Sequence, residues 1–358
     1  MRPLLHPRLL NGRFGDPALY VECMFERWAL LFDLGDLHGL DIRKLLRVRD
    51  VFVSHTHIDH FVGFDQLLRI SIGREHVLRL FGPSGIIGQV EHRLGSYSWN
   101  LVERYATDLV IVVTEVRSPT EAESARFRFQ NRFRREAGTT AALADGVLRD
   151  DSGFRVRCAV LDHRIPCLGF AVEERQHVNV WKNRLEEAGL AVGPWLREVK
   201  QAILRNEPDD TPCRVDWREG RAKREETLPL GRLKREVMRL VPGQKIGYVV
   251  DVAYSAENIR RIVELVQGAD ILFIEACFAR KDAARAADRA HLTTEQAGRI
   301  ARLAGVQRVE PFHFSPRYVE DGECLMREVD EAFRAPPEPE GARKGASVGP
   351  PDAGLPGS

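Results

Sequence analysis

Residues 51–64, VFVSHTHIDHFVGF, limit the fold most strongly, because an apolar and β-branched run leads directly into four potential metal ligands. The run predicts a buried strand, and the polar residues after it predict a loop at the carboxyl end of that strand. One ion cannot easily bind all four side chains of so short a loop. Two ions can, with His55 and His57 on one and Asp59 and His60 on the other, if distant strands supply more ligands.

Three further groups follow predicted strands and can complete these two sites. His163 lies in VLDHRIP, Asp251 in YVVDVAYS and His313 in PFHFSPRY. An aspartate can bind two ions, with one carboxylate oxygen on each, so Asp251 is the natural bridge between the sites. We expect His163 to complete the first site and His313 to complete the second.

Predicted strands alternate with predicted helices along most of the chain, which indicates an α/β fold. The run DILFIEACF predicts a buried strand, and LTTEQAGRIARLAG has the spacing of an amphipathic helix with a threonine cap. We predict one main domain over residues 1–334, with a charged and partly helical insertion at residues 176–240. Residues 335–358 form a Pro/Gly-rich tail that we expect to be disordered.

The composition argues against several other classes of protein. The six cysteines are scattered without a C-x-x-C pair, which is typical of reduced cytoplasmic thiols and not of a disulfide framework or a zinc ribbon. No apolar run reaches the roughly 18 residues of a membrane span, so we expect neither a span nor secretion. The formal net charge of +1 indicates no partner, and any nucleic-acid contact must be local.

The motif SHTHIDH resembles the H-x-H-x-D-H signature of the metallo-β-lactamase superfamily. The blocks LFGPSG, LDHRIPCLGF, HLTTEQAGRIA and FHFSPRY resemble those of ribonuclease Z, the tRNA 3′-processing endoribonuclease, and the resemblance covers about residues 28–320. It implies a four-layer αβ/βα sandwich and two zinc ions per chain, although manganese can replace zinc at nitrogen and oxygen ligands. It also implies a cytoplasmic homodimer that cleaves precursor tRNA.

The resemblance also implies a role for each site residue. The ligands of one ion are His55, His57 and His163, those of the other are Asp59, His60 and His313, and Asp251 bridges the two. Asp59 is further expected to orient a metal-activated hydroxide, and His291 to assist the leaving oxygen of the cleaved phosphodiester. Asp33, Asp36 and Glu275 are candidates to orient the ligand histidines. Glu275 can equally be a buried strand-end residue without such a role.

Two segments are candidates for contact with RNA. Ribonuclease Z enzymes grip the tRNA elbow with a protruding Gly-Pro-containing arm, and Gly193 and Pro194 of residues 186–203 occupy the corresponding position. An ordinary solvated insertion explains the mild basic charge there equally well. In SARFRFQNRFRR, residues 124–135, arginine and phenylalanine suit phosphate contact and base stacking, but their alternation favours a strand with phenylalanine inward. Arg317, in HFSPRY, is a further candidate for substrate contact.

Three departures from the family pattern leave a second function open, and the first is the opening MRPLLHPRLLNGRFGDP, where a strand and a Gly-rich turn are usual. Ile58 stands where a small residue is usual, and the sequence Val250-Asp251-Val252 stands where Gly-Asp-Thr is usual. A small-molecule hydrolase on the same scaffold, such as a phosphodiesterase, an arylsulfatase-like enzyme or a lactonase, is therefore the alternative. A third reading is a non-catalytic RNA-binding protein that has lost its metals, and the complete set of ligands argues against it.

Overall fold

Two β-sheets packed against each other form the centre of the protein. The computed structural model describes residues 4–336, apart from 25, 152, 176, 220–221 and 242. The first sheet contains β1 (Leu5–Leu9), β2 (Leu19–Cys23), β3 (Ala29–Phe32), β4 (Val48–Phe52), β5 (His76–Pro83), β6 (Leu109–Ser118), β7 (Glu121–Arg128), β8 (Arg135–Glu136) and β9 (Thr140–Ala142). Strands β1 to β8 are neighbours in that order, and β9 also pairs with β7. Because β3 to β6 are parallel, their carboxyl ends share one edge.

The later strands form the second sheet and two separate strand pairs. They are β10 (Val147–Asp150), β11 (Phe154–Asp162), β12 (Pro166–Glu174), β13 (His177–Val180), β14 (Pro212–Glu219), β15 (Ala222–Pro229), β16 (Met238–Val241), β17 (Lys245–Val249), β18 (Ile271–Glu275) and β19 (Val309–Phe312). The second sheet has the order β10-β11-β12-β17-β18-β19, while β13 pairs with β16 and β14 with β15. Strands β17 to β19 are parallel, so the loops after them also meet at one edge.

Helices cover the outer face of each sheet. The helices of the described residues, including those of the insertion, are α1 (Ile42–Leu45), α2 (Ile58–Phe61), α3 (Phe64–Ser71), α4 (Ile86–Gly95), α5 (Lys182–Glu187), α6 (Trp195–Leu204), α7 (Leu230–Glu236), α8 (Ala256–Val266), α9 (Ala283–Arg289), α10 (Thr294–Leu303) and α11 (Gly322–Arg334). Apolar side chains of α3 and α4 pack on the first sheet, and those of α8, α10 and α11 pack on the second. This arrangement confirms the predicted α/β fold and its four-layer αβ/βα sandwich. None of the helices in the described ranges has the length and apolar character needed to cross a membrane.

The two sheets are held together by an aromatic core between them. The Phe32 and Phe52 rings of the first sheet stack with centroids 5.0 Å apart, and each lies 5.7 Å from the Phe170 ring of the second. All three side chains are almost fully buried. Burial of one such ring contributes about 1.5–3 kcal/mol, so this core strongly favours one alignment of the sheets.

The segment 124–135 begins as a strand and then leaves the sheet. In β7 the Phe127 side chain is buried whereas Arg126 and Arg128 are exposed, which confirms the predicted alternation. After Arg128 the chain turns, and Phe129 and Phe133 are buried against the first sheet. The phenylalanines therefore serve the core, and the arginines remain available on the surface.

The charged insertion forms a small unit with its own apolar core. Its described residues contribute both strand pairs and the helices α5 to α7, so it contains more strand than we predicted. Trp195 lies at the centre of this core, and its ring nitrogen donates a hydrogen bond to the Ala191 carbonyl. A Cβ atom on Gly193 would lie 2.7 Å from the Asp216 carbonyl oxygen, so the glycine permits a close approach of two backbones.

Two features near the carboxyl terminus complete the described chain. Residues 322–334 form α11, which the sequence analysis did not predict, and Leu325 and Val329 bury its apolar face in the helix-side core of the second sheet. The predicted disordered tail lies, from residue 337 onward, outside the described residues.

We predict that Trp195→Ala unfolds the insertion locally and leaves the two sheets intact. Truncation of a buried tryptophan typically costs about 3–5 kcal/mol, and the core of the insertion is separate from the other apolar clusters. Hydrogen exchange should show lost amide protection in α6 and α7 and unchanged protection in β17 to β19. Trp181→Ala is the control, because that side chain is 37% exposed. Equal loss of protection in β17 to β19 would contradict the prediction.

Candidate metal centre

The loop after β4 presents the motif residues at the edge where the two sheets meet. His55 and His60 are fully buried, while Ile58 between them is 80% exposed. The backbone N–H of Leu34 donates to the His60 carbonyl, and the N–H of Gly63 donates to the Leu34 carbonyl, both at 2.8 Å. These two bonds fix the loop against the turn that follows β3. Because Ile58 points to solvent, it does not crowd the ligand positions.

The first predicted set of ligands converges on Asp251. The nearest ring nitrogens of His55 and His57 lie 2.9 Å apart, and His55 Nε2 lies 3.5 Å from Asp251 Oδ2. His163, in the turn between β11 and β12, places its Nε2 atom 3.6 Å from the same oxygen. One potential donor atom from each of these four residues lies within 4.8 Å of the others.

The second predicted set also meets at Asp251. His60 Nε2 lies 3.4 Å from Asp59 Oδ2 and 3.3 Å from Asp251 Oδ2. His313, directly after β19, places Nε2 3.8 Å from Asp59 Oδ2 and 3.0 Å from Asp251 Oδ1. Asp251 therefore contacts both sets, as a bridging carboxylate must, and the structure brings together all seven residues that we predicted as ligands.

The spacing of these donors fits metal ions. Two tetrahedral ligands that each lie about 2.1 Å from a zinc ion are about 3.4 Å from each other. The contacts of His55, His60 and His163 with Asp251 are 3.3–3.6 Å long, close to that value. His60 Nε2 is also buried without a hydrogen-bond partner of good geometry among the described residues. Buried polar atoms without partners are rare and costly, and a bound cation would satisfy this one.

Hydrogen bonds on the far side of the rings direct the Nε2 atoms towards the centre. His60 Nδ1 lies 3.0 Å from Asp33 Oδ2 and His163 Nδ1 lies 2.8 Å from the Ala290 carbonyl oxygen. Both oxygens can only accept, so Nδ1 carries a hydrogen in each ring, and in the neutral form of the ring Nε2 carries the free lone pair. This is the tautomer that a metal requires from a histidine bound through Nε2.

Of the two aspartates predicted to orient ligand histidines, Asp33 contacts such a histidine and Asp36 does not. The Asp33 side chain is fully buried and accepts hydrogen bonds from Ser54 N–H (2.6 Å), Ser54 Oγ–H (2.8 Å) and Tyr248 O–H (2.8 Å), in addition to the contact with His60. Asp36 is exposed, and it accepts a hydrogen bond from the backbone N–H of His38. The difference arises because Asp33 follows β3 directly, whereas Asp36 lies on the outer side of the turn.

Several loops of the centre have unusual backbone conformations. Asp33, Asp251, Ala290 and His313 all have φ angles between 48° and 57°, in the left-handed region that costs energy for residues other than glycine. Such conformations persist where surrounding contacts fix them, and they cluster at functional sites. Four of them in one centre indicate that packing and hydrogen bonds determine the ligand positions.

Asn258 fixes the His163 loop to the Asp251 loop. Its side-chain amide donates to the carbonyls of Asp162 and Ala253 at 2.9 and 2.8 Å, and its side-chain oxygen accepts from Asp162 N–H at 3.0 Å. Asn258 lies on α8 and is 2% exposed. Sequence analysis missed it, together with Tyr248 and Ser54, because a single polar residue carries no signal of its distant partner.

His291 lies beside the ligand cluster and is paired with Glu275. Its Nδ1 atom is 3.1 Å from Glu275 Oε2 and 3.7 Å from Asp251 Oδ1. Glu275 is fully buried, and its Oε1 atom accepts from Val252 N–H at 2.7 Å. Burial lowers the pKa of His291, but the Glu275 carboxylate outweighs that effect and raises it to about 9 in the metal-free protein. Glu275 therefore is both a buried strand-end residue and an orienting partner.

The charged groups within the cluster shift one another's pKa values. Burial, and next the charge of His60, lower the pKa of His55 to about 2, which keeps its ring neutral and ready to bind a cation. Burial raises the pKa of Asp59, but the contact with His60 and the charge of His313 lower it to about 2. Burial lowers the pKa of His60, but the carboxylates of Asp251 and Asp33 outweigh that effect and raise it well above its ordinary value. A divalent ion must therefore displace a proton from His60 when it binds, whereas His55 and Asp59 already have the protonation states that metal ligands need.

The three predicted substrate contacts lie in two separate parts of the chain. Arg317 is exposed in the short turn Pro316–Asp321 that follows His313, with its guanidinium 5.8 Å from the centre of the Tyr318 ring. Pro194 is exposed at the start of α6 in the insertion, and Gly193 packs beside Trp195. Only Arg317 is close in sequence to a predicted ligand, and the roles of all three stay predictions.

We predict that Asp33→Asn lowers the affinity for zinc by about 10–100-fold, the usual effect of losing an outer partner of a ligand histidine. Asparagine tolerates the left-handed backbone at this position but cannot accept hydrogen bonds with both side-chain atoms. Competition with a chelator measures the affinity. Asp36→Asn is the matched control and should leave it unchanged. Equal affinities of Asp33→Asn and the wild-type protein would show that His60 does not depend on this carboxylate.

Comparisons with known proteins agree with this geometry. Residues 211–314 match the family model described as "Beta-lactamase superfamily domain". A metallo-beta-lactamase fold protein, YhfI from Bacillus subtilis, has the same fold at a TM-score of 0.50 and 15% identity, covering 91% of this chain and 92% of its own. Ribonuclease Z of Deinococcus radiodurans is 30% identical over 340 residues, which are 93% of this chain and 97% of that protein.

A second ribonuclease Z is similar to this chain over most of its length. Ribonuclease Z of Synechocystis sp. is 30% identical over 334 residues, which cover 90% of this chain and 85% of that protein. Matches of this identity that span nearly the full length of both chains share one fold and one family. The protein belongs to the ribonuclease Z family of the metallo-β-lactamase superfamily and is a metal-dependent hydrolase of phosphodiester bonds.

Proposed function

We propose that this protein is a two-zinc endoribonuclease that removes the 3′ trailer from precursor tRNA. The observation that carries the proposal is that two sets of potential ligands meet at the buried Asp251 carboxylate, which four imidazole nitrogens approach to within 3.0–3.6 Å. The ribonuclease Z relatives support the choice of an RNA phosphodiester as substrate. We further propose that the enzyme works in the cytoplasm as a homodimer, with manganese as a possible substitute for zinc.

The residues of the centre have different roles in the proposed hydrolysis. Bound zinc lowers the pKa of water towards neutrality and stabilises negative charge on a phosphoryl oxygen. Asp59 is ionised and 35% exposed in its side chain, so it can orient the attacking water and accept its proton. Asp251 is buried and contacts both ligand sets, so it holds the two sets at a fixed separation.

His291 is the proposed proton donor to the leaving oxygen. Glu275 holds Nδ1 of the ring, which leaves Nε2 available for the substrate. For a cut after the discriminator nucleotide, the phosphorus–oxygen bond to its 3′-oxygen breaks, and the proton of His291 goes to that oxygen. The products are a mature 3′-hydroxyl and a trailer with a 5′-phosphate.

The insertion is the proposed contact for the body of the tRNA. Gly193 and Pro194 lie at the start of α6, and Arg317 is exposed in the turn that follows His313. We propose that one precursor contacts both regions. Residues 186–203 include the buried Trp195, and their removal would destroy the core of the insertion. Trp195→Ala is the milder test and should weaken binding of precursor tRNA while sparing hydrolysis of bis(p-nitrophenyl) phosphate. If tRNA binding and hydrolysis of bis(p-nitrophenyl) phosphate fall together, the segment has a structural role only.

We predict that the purified protein cuts a precursor tRNA after the discriminator nucleotide and that His60→Ala abolishes the cut. Loss of a residue that hydrogen-bonds to a metal ligand typically lowers activity by up to about 100-fold. Loss of the ligand itself should therefore lower turnover by more than that, and it should also lower the zinc content. Mapping of the 3′ end and zinc analysis measure the two effects. His38→Ala is the control, because His38 is exposed and contacts only Asp36 among the described residues.

The same assay separates the proposal from its alternative. A small-molecule hydrolase would turn over bis(p-nitrophenyl) phosphate efficiently and leave the precursor uncut. That result would contradict the proposal that RNA is the substrate, but it would be consistent with the proposed metal centre. A zinc content below one ion per chain, with no turnover of either substrate, would instead favour a non-catalytic protein.

We predict that His291→Ala lowers cleavage of precursor tRNA by about 10²–10⁴-fold, the usual contribution of a general acid. The zinc content should remain, since the ring is paired with Glu275 and lies outside both ligand sets. Hydrolysis of bis(p-nitrophenyl) phosphate should fall much less, because nitrophenolate leaves without a proton. Measurement of both rates and of zinc in one preparation checks this. Loss of zinc from the variant would overturn the assigned role.

A further inference from the structure

Glu275, Cys277 and His291 form a third cluster of potential metal ligands beside the predicted centre. One donor atom from each lies within 4.8 Å of the other two. Glu275 is fully buried, Cys277 is 8% exposed, and the His291 side chain is 16% exposed. The cluster differs from the predicted centre in one respect that can be measured, because it offers a sulfur ligand.

The backbone positions these three side chains together. Glu275 ends β18, Cys277 follows two residues later, and their donor atoms lie within 4.8 Å of each other. Phe278 forms a parallel bridge with Thr293, and its N–H donates to the Leu292 carbonyl while its carbonyl accepts from Thr294 N–H. This pairing aligns the two segments and sets His291 opposite the Glu275 and Cys277 side chains.

The chemistry of the cluster suits a divalent ion of intermediate softness. A carboxylate, a thiolate and an imidazole are common zinc ligands, and together with a 2+ ion they form a neutral site. The thiol of Cys277 loses its proton to solvent when it binds. We propose that this cluster is an inhibitory metal site, which takes a third zinc ion when zinc is in excess.

This third ion binds last, for two physical reasons. It must replace the hydrogen bond of 3.1 Å between His291 Nδ1 and Glu275 Oε2. It also lies next to Asp251, so it is repelled by ions that already occupy the predicted centre. The order of filling therefore separates the third site from the first two.

Occupancy of this site removes the acid function of His291, and that consequence rests on the proposed function. A ring that binds an ion through Nδ1 can no longer be the imidazolium that Glu275 stabilises. Cleavage of precursor tRNA, in which a 3′-oxygen must be protonated, then stops. Hydrolysis of bis(p-nitrophenyl) phosphate continues, because its leaving group needs no proton.

Titration of the metal-depleted full-length protein with Co²⁺ tests the site without any assay of activity. A thiolate ligand gives Co²⁺ an intense near-ultraviolet absorption, which nitrogen and oxygen ligands do not give. The first two equivalents should produce no such band, and the third should produce it. Cys277→Ser and Cys277→Ala should both lose the band, and Cys324→Ser, which alters an exposed thiol elsewhere, should keep it. If the Cys277 variants fail to fold, the wild-type titration still tests the site, because the absence of a band at the third equivalent overturns it.

Excess Zn²⁺ tests the consequence in the zinc-loaded enzyme. Cleavage of precursor tRNA should fall while hydrolysis of bis(p-nitrophenyl) phosphate stays constant. In Cys277→Ser the zinc concentration for half-inhibition should rise at least about tenfold, since loss of even an outer partner weakens metal binding that much. Absence of the band beyond two equivalents, or a band that persists in both Cys277 variants, would overturn the site. If no precursor is cut at all, the proposed function fails, and the Co²⁺ band still decides the site.

Discussion

The burial of the Asp251 carboxylate is the constraint on which most of this structure depends. A carboxylate removed from water is unstable unless cations or hydrogen-bond donors surround it. Its surroundings are imidazole nitrogens at 3.0–3.6 Å, which belong to His55, His60, His163 and His313. These four rings come from three loops on two different sheets. The sheets must therefore keep one alignment at this edge, or the carboxylate loses its compensation.

Asp33 links the two sheets next to the metal centre by hydrogen bonds. It follows β3 of the first sheet, yet it accepts a hydrogen bond from Tyr248 on β17 of the second. The same carboxylate accepts two bonds from Ser54 and contacts His60, and each hydrogen bond to a charged group contributes about 1.5–3 kcal/mol. Directly beside it, the Phe32 ring lies 5.7 Å from that of Tyr248 in the core between the sheets. Core packing and ligand orientation are thus parts of one arrangement.

The sequence identified the residues that converge at the candidate metal centre but not the residues that support them, and the reason is distance along the chain. His55, Asp59 and their neighbours are recognisable because residue type and strand-end position are local properties. The supporting bonds join residues that are far apart: Asn258 to Asp162 across 96 residues, Ala290 to His163 across 127, and Tyr248 to Asp33 across 215. A backbone carbonyl such as that of Ala290 carries no side-chain signal at all. Such partners become visible only when the fold brings the loops together.

The departures from the family pattern have a physical explanation in the same arrangement. Val250 and Val252 flank Asp251 and are both fully buried, the first in the core between the sheets and the second in the helix-side core. They anchor the strained backbone of Asp251 from two sides, so apolar residues can occupy these positions without moving the carboxylate. Ile58 is 80% exposed, so its side chain changes the entrance to the centre and not the ligands. Positions fixed by several independent contacts hold the metal chemistry constant, and positions that face solvent are free to alter which substrate reaches it.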